Sequence, residues 1–206
     1  MSLRRMDSAV NAIRGSRLRR TIEMGCLWIP GSRRENYDGA MNAKTANAPC
    51  LRFSAATAAD IPRVVSLVNS AYSVETFLKG TRTDDELLAA MMRKGRILIA
   101  EDDSGRLLAC VYIEVRGPRG YMGLLAVDPA HQGSGLARRT VQAAEDHLRD
   151  DGCVAVDIVV LSLRPELLPI YRRFGYIESG ILEEFRPTRQ LAPGFECHGI
   201  KMSKQL

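Results

Sequence analysis

From Leu51 onward the chain arranges apolar and polar residues in periods that switch repeatedly between strand and helix spacing. "LRFSAAT" alternates like a half-buried strand, and Ile61, Val64, Val65, Val68, Ala71 and Tyr72 then share one helical stripe. Thr57 or Asp60 is available to cap that helix. "DDELLAAMMRKG" predicts a second helix, acidic in its first turn and basic in its last, as the helix dipole prefers. "RILIAE", "RLLACVYIEV" and "YMGLLAV" follow as three strands in hairpin succession, separated by the turns "DDSG" and "RGPRG". A long helix runs from Gly135 to Asp150, with Leu136, Thr140, Val141, Ala144 and Leu148 on one face. "CVAVDIVVL" is continuously apolar, as expected of a central strand covered on both sides. "PELLPIYRRFG" predicts a short helix that Pro169 should kink or shorten. "YIESGIL" and "FECHGIKMS" supply two closing strands. The order is β-α-α-β-β-β-α-β-α-β-β, an α/β (α+β) fold whose mixed sheet carries helices on both faces.

The first fifty residues break this regularity and predict a boundary: an N-terminal extension, 1–50, and a domain, 51–206. The extension holds nine Lys/Arg against four Asp/Glu, which accounts for the whole net charge of +5. The domain is balanced, with twenty of each sign. A nucleic-acid-binding domain normally carries its own basic face, so no nucleic-acid partner is expected. "MSLRRMDSAVNAIRGSRLRR" is rich in Arg and Ser and has one acid, features shared by mitochondrial transit peptides and by plain solvated basic tails. A flexible, catalytically silent tail on a cytoplasmic protein is the expectation, with mitochondrial targeting the alternative. No apolar run approaches the ~20 residues that span a bilayer. Cys26, Cys50, Cys110, Cys153 and Cys197 are widely spaced and form no C-x-x-C pair, which fits reduced thiols better than disulfides or a zinc site. No metal site is expected.

The pointed chemical question lies in "LLAVDPAHQGSGLARRTVQAAEDHL". The helix opening near Gly135 begins with several N–H groups that lack intrahelical partners, and no clear Ser, Thr, Asp or Asn cap precedes it. Gly133 and Gly135 permit close backbone approach and unusual dihedrals, so aligned amides and the helix dipole could receive a phosphate. A tight turn that needs glycine for steric reasons alone is the competing reading. A P-loop would require Lys-Ser or Lys-Thr after the last glycine, but the chain reads Leu-Ala-Arg-Arg. A dinucleotide fingerprint would require a third glycine where Arg138 stands.

Gln132-Gly133-Ser134-Gly135-Leu136-Ala137 matches Q/R-x-x-G-x-G/A, and "ELLPIYRRFGYIESG" looks like an LYxxxGF passage. Together they make residues 51–206 resemble the GNAT superfamily of acyl-CoA N-acetyltransferases. The resemblance implies a mostly antiparallel sheet with splayed central strands. It implies acetyl-CoA as co-substrate and a primary amine of a small molecule or peptide as acceptor, with no metal and no membrane partner; a homodimer stays open. The backbone of Leu125, Ala126 and Val127 would then pair with the pantetheine arm. The amides of Gln132, Gly133, Ser134, Gly135, Leu136 and Ala137 would take the pyrophosphate, with Arg138 adding charge. Tyr171 matches the family tyrosine near the sulfur, the general acid, and Glu114 stands where relatives place a base or a water-positioning carboxylate. Tyr171 could instead be a core aromatic, and Glu114 an outward charge on a half-exposed strand.

One position departs from the family pattern: Arg164 stands where an Asn is usual, and that Asn's cofactor contact is not carried over. His131 and His198 read as surface residues, and Cys110 and Cys153 as inert thiols in apolar strands, which disfavours an acyl-cysteine route. "AYSVETFLKGTRTDDEL" and "LEEFRPTRQLAPG" are expected to wall the acceptor side. Glu183 and Glu184, read as loop acids, could attract a cationic amine or simply be solvated. The alternatives are a GNAT-like module that binds CoA without turnover and a nucleotide-binding domain, which the broken phosphate motifs disfavour.

Overall fold

A computed structural model of the protein describes residues 51–184 and 191–206; the extension 1–50 and its predicted boundary lie outside the described residues. The elements are β1 (Arg52–Ala55), α1 (Ile61–Ala71), α2 (Asp85–Lys94), β2 (Arg96–Glu101), β3 (Leu107–Arg116), β4 (Arg119–Val127), α3 (Leu136–Asp150), β5 (Ala155–Leu161), α4 (Leu168–Arg173), β6 (Ile177–Glu184) and β7 (His198–Gln205). The predicted order of strands and helices is the observed one. The strands form one sheet in the order β1-β2-β3-β4-β5-β7-β6, antiparallel except where β4 meets β5.

Strand alternation sorts the core into two layers. Ile97, Ile99, Cys110 and Tyr112 face Val64, Leu67 and Val68 of α1 and Leu88 of α2. Leu98, Val111 and Ile113 face the opposite way, onto Val141, Ala144 and Leu148 of α3. Helices therefore cover both faces, because each strand offers an apolar side chain on every residue through its middle.

Local chemistry sets the ends of the helices. Thr57 and Asp60 form a capping box, but it starts a 3₁₀ turn, Ala58–Asp60, from which α1 continues. The Asp84 side chain accepts a hydrogen bond from the Leu87 N–H and caps α2. Pro169 does shorten its helix: α4 keeps six residues with the proline in its first turn, where a missing N–H costs nothing, and a 3₁₀ turn, Pro165–Leu167, precedes it.

Three boundary expectations need correction. Glu183 and Glu184 lie on β6, paired opposite Gly199 and His198, and not in a loop. Cys153 precedes β5 and is buried in the α3 layer, so it is a core thiol but not a strand residue. Tyr176 is not the first residue of β6; it is buried, and its hydroxyl donates to Glu145 at 3.0 Å.

β4 positions the candidate site. Cys110 pairs with Ala126, but Tyr112 pairs with Gly123, so Leu124 and Leu125 together oppose Val111. This is a β-bulge. Leu124 sits at φ 50°, a left-handed backbone that a branched apolar residue adopts only when its surroundings impose it. β4 pairs with β5 only from Arg119↔Ala155 to Tyr121↔Asp157. Past Tyr121 the two strands part, β5 keeps its ladder with β7 to Leu161↔Gly199, and a wedge opens between β4 and β5.

Candidate active site

A cavity of about 520 Å³ opens off this wedge. Leu125 and Val127 of β4 and Tyr171 and Ile170 of α4 line it, and the turn from His131 to Arg138 closes one end. The glycine turn is built on Asp128, whose side chain accepts from the Ala130 N–H at 2.9 Å and from Arg106 at 2.8 Å. Gln132 Nε2 donates to the Val127 carbonyl at 3.4 Å, and Ser134 Oγ donates to the His131 carbonyl at 2.6 Å. Both side chains thus brace the turn; the Gln132 N–H donates to the Pro129 carbonyl at 3.5 Å, so the amides available to a ligand begin at Gly133.

Gly133 and Gly135 have φ of 77° and 85°, and nothing lies within 4 Å of where a Cβ would stand on either. Gly135 is the N-cap of α3 and no side chain caps the helix, so the N–H groups of Leu136, Ala137 and Arg138 have no helical partner. Gly133, Gly135, Leu136, Ala137 and Arg138 all border the cavity. Open space over two left-handed glycines, uncapped amides and a helix dipole suit an anion of phosphate type.

Tyr171 borders the same cavity, its ring edge-on to Tyr176 at 5.7 Å and to Phe174 at 6.1 Å. Burial pushes its hydroxyl up to about 12, so it carries its proton throughout the neutral range. Burial likewise pushes the Cys110 thiol up to about 12, which keeps it out of nucleophilic chemistry.

The structure brings most of the expected residues together, with exceptions. Ala126 turns its side chain into the α1 layer, and only its backbone belongs to the strand that borders the cavity. Glu114 does not reach the cavity. Its carboxylate accepts from Arg116 at 2.8 Å and Tyr112 at 3.0 Å, and the Arg116 guanidinium holds its carboxyl below the usual carboxylate range. A carboxylate held this way is a weak proton acceptor at neutral pH.

Two residues that sequence reading did not single out, Glu75 and Arg82, pack against Arg164 and Tyr72 of the cavity lining. The Tyr72 hydroxyl donates to the Leu125 carbonyl at 3.0 Å, and Tyr72 lines the cavity. Its place on the α1 stripe marked it as core, and nothing local marked the hydroxyl. Arg164, also on the lining, donates to buried Glu75 at 2.9 Å. Arg82 sits over the Tyr72 ring, 5.0 Å from its centroid, and 3.9 Å from Glu75. Glu75 and Arg82 come from the "AYSVETFLKGTRTDDEL" stretch expected to wall the acceptor side.

The model of the acetyltransferase (GNAT) family matches residues 62–176. Glucosamine 6-phosphate N-acetyltransferase 1 of Oryza sativa subsp. japonica is 34% identical over 104 residues, which cover 47% of this chain and 61% of that protein. A mycothiol acetyltransferase of Propionibacterium freudenreichii is 31% identical over 84 residues, 39% of this chain and 27% of its own length. The chain thus spans less than two thirds of either relative. A Bacillus subtilis acetyltransferase solved in complex with CoA superposes with a TM-score of 0.59 at 13% identity, covering 76% of this chain and 99% of that one, a likeness of fold.

Proposed function

The chain belongs to the acetyltransferase (GNAT) family, and from that premise we propose that it transfers an acetyl group from acetyl-CoA to a primary amine of a small molecule or peptide. The observation that carries the reading is the single cavity running from the uncapped start of α3 to the protonated hydroxyl of Tyr171. When bound, acetyl-CoA supplies an activated acyl carbon and a thiolate leaving group. The amides from Gly133 to Ala137 would hold the pyrophosphate, with Arg138 beside them; the Gln132 amide expected to join them is spent on the Pro129 carbonyl. The backbone from Leu125 to Val127, which follows the bulge at Leu124, would hold the pantetheine arm.

Tyr171 is the residue we assign to the leaving sulfur. A free thiol titrates near about 8.5. Against a phenol at about 12, full proton transfer would be uphill by about 5 kcal/mol, at about 1.36 kcal/mol per unit. The same dry cleft raises the thiol and narrows that gap. Tyr171 therefore acts mainly as a hydrogen-bond donor that stabilises charge as it develops on sulfur, and surrenders its proton late. The amine arrives neutral from solvent. Glu114 enters this reading only as fixed negative charge near Tyr121, within whose electrostatic reach it lies.

Titrating acetyl-CoA, ATP and NAD into the protein, followed by a mass-spectrometric scan of an amine panel, tests the proposal. Selective acetyl-CoA binding with acetylated product supports it. Selective binding without turnover on a broad panel turns it toward a CoA-binding module, and preference for ATP or NAD removes it.

A further inference from the structure

Against Arg164 and Tyr72, which line the cavity, two buried atoms lack hydrogen-bond partners among the described residues: Glu75 Oε2 and Arg82 Nε. Their side chains are 4% and 26% exposed, and the two atoms lie 3.9 Å apart, too far for a hydrogen bond. Leaving such groups unsatisfied is costly, so the site is incomplete as it stands.

The two are not equivalent. The other oxygen of Glu75 already accepts from Arg164 at 2.9 Å, so much of its charge is answered by a residue of the cavity lining. Among the described residues Arg82 has only the long approach to Glu75 and its seat over the Tyr72 ring. An arginine offers five N–H donors in a planar fork matched to carboxylate or phosphate. Tyr72 fixes its place: that ring lines the cavity, and its hydroxyl holds the carbonyl of Leu125 beside the β4–β5 wedge. Arg82 also lies within electrostatic reach of Tyr121, the last β4 residue paired to β5. The guanidinium thus stands one ring's thickness from the cavity lining, with part of its side chain open to solvent.

Resting on the acetyltransferase reading, we propose that Arg82 recognises an oxyanion, carboxylate or phosphate, carried by the acceptor amine itself. The acceptor is then a small anionic or zwitterionic amine and not a polyamine. Arg82 sets specificity and takes no part in the bond exchange.

The test uses the full chain saturated with CoA, so that the phosphate-binding turn is filled. Calorimetry compares O-phosphoethanolamine, β-alanine, ethanolamine and spermidine. One oxyanion-bearing amine is expected to bind about tenfold or more tighter than ethanolamine, the scale of a charge-assisted hydrogen bond, and the phosphate and carboxylate arms identify which. In Arg82→Gln that preference should fall to parity while CoA affinity holds. Arg82→Lys should keep only part of it, since an ammonium lacks the fork, and it carries the test if Arg82→Gln does not fold. Ethanolamine or spermidine binding as well as the oxyanion amines, no amine binding to the CoA complex, or a preference unchanged in both variants would overturn the assignment. Failure of CoA itself to bind would instead remove the acetyltransferase reading beneath it.

Discussion

The hydroxyl of Tyr72, at the C-terminal end of α1, donates a hydrogen bond to the backbone carbonyl of Leu125 at 3.0 Å. Leu125 follows Leu124, whose left-handed backbone forms the bulge, and lies beyond the last residue that β4 pairs with β5. A side chain of one helix thereby secures a stretch of strand that has left its neighbour. Tyr72→Phe keeps the ring under Arg82 and removes the donor. The expected cost is about 1 kcal/mol of stability, as for one buried hydrogen bond, together with weaker acetyl-CoA binding. Denaturant unfolding and calorimetry measure the two separately, and no change in either would make the contact incidental.

Tyr171→Phe should lower kcat by about 100-fold, the low end for a general acid, and leave acetyl-CoA affinity nearly unchanged, because the ring contacts with Tyr176 and Phe174 survive. Single-turnover kinetics with a confirmed acceptor make the comparison. Wild-type turnover would return Tyr171 to a packing role.

The alkaline limb of the pH profile offers an independent check. The Tyr171 hydroxyl is raised to about 12, so its proton is present below that value and lost only as pH rises through it. The rate should climb as the acceptor amine deprotonates and then stay level through the region near 10 where an ordinary phenol titrates. A descending limb there that disappears in Tyr171→Phe would mean the hydroxyl is not shielded as the structure has it.

Gly135→Val should weaken acetyl-CoA binding by an order of magnitude or more. A β-branched residue is strained at φ 85°, and its side chain would fill the open space over the α3 amides. Calorimetry on the folded variant gives the answer, and unchanged affinity would dismiss the turn as a phosphate cradle.

Glu145 is 1% exposed, and it accepts from Tyr176 at 3.0 Å and Lys204 at 2.6 Å, tying α3 to β7 and to the residue before β6. Glu145→Ala leaves both donors unpaired and should cost about 3 kcal/mol, toward the low end for a broken buried pair because Lys204 keeps some solvent. Chemical denaturation reads this directly, and a loss under about 1 kcal/mol would reduce the network to a surface pair.

Element order, the two-layer core and the glycine turn were legible in the sequence because each rests on local rules. Strand and helix periods assign faces, as with Ile97 and Leu98 on opposite sides of β2. Uncapped amides behind two glycines declare themselves within six residues. Glu183 and Glu184 were misread because nothing local distinguishes acids on an exposed edge strand from acids in a loop; their ladder partners on β7 decide it.

Tertiary structure alone decided the rest. The bulge at Leu124 follows from a register between β3 and β4 that no single segment encodes. Glu114 looked well placed on its strand, but Tyr112 and Arg116 claim its carboxylate and the cavity opens elsewhere. Glu75, Arg82 and Arg164 meet although Glu75 and Arg164 stand 89 positions apart in the chain. Ion pairing and desolvation depend on distance in space, so the composition of that cluster could not be read from spacing along the sequence.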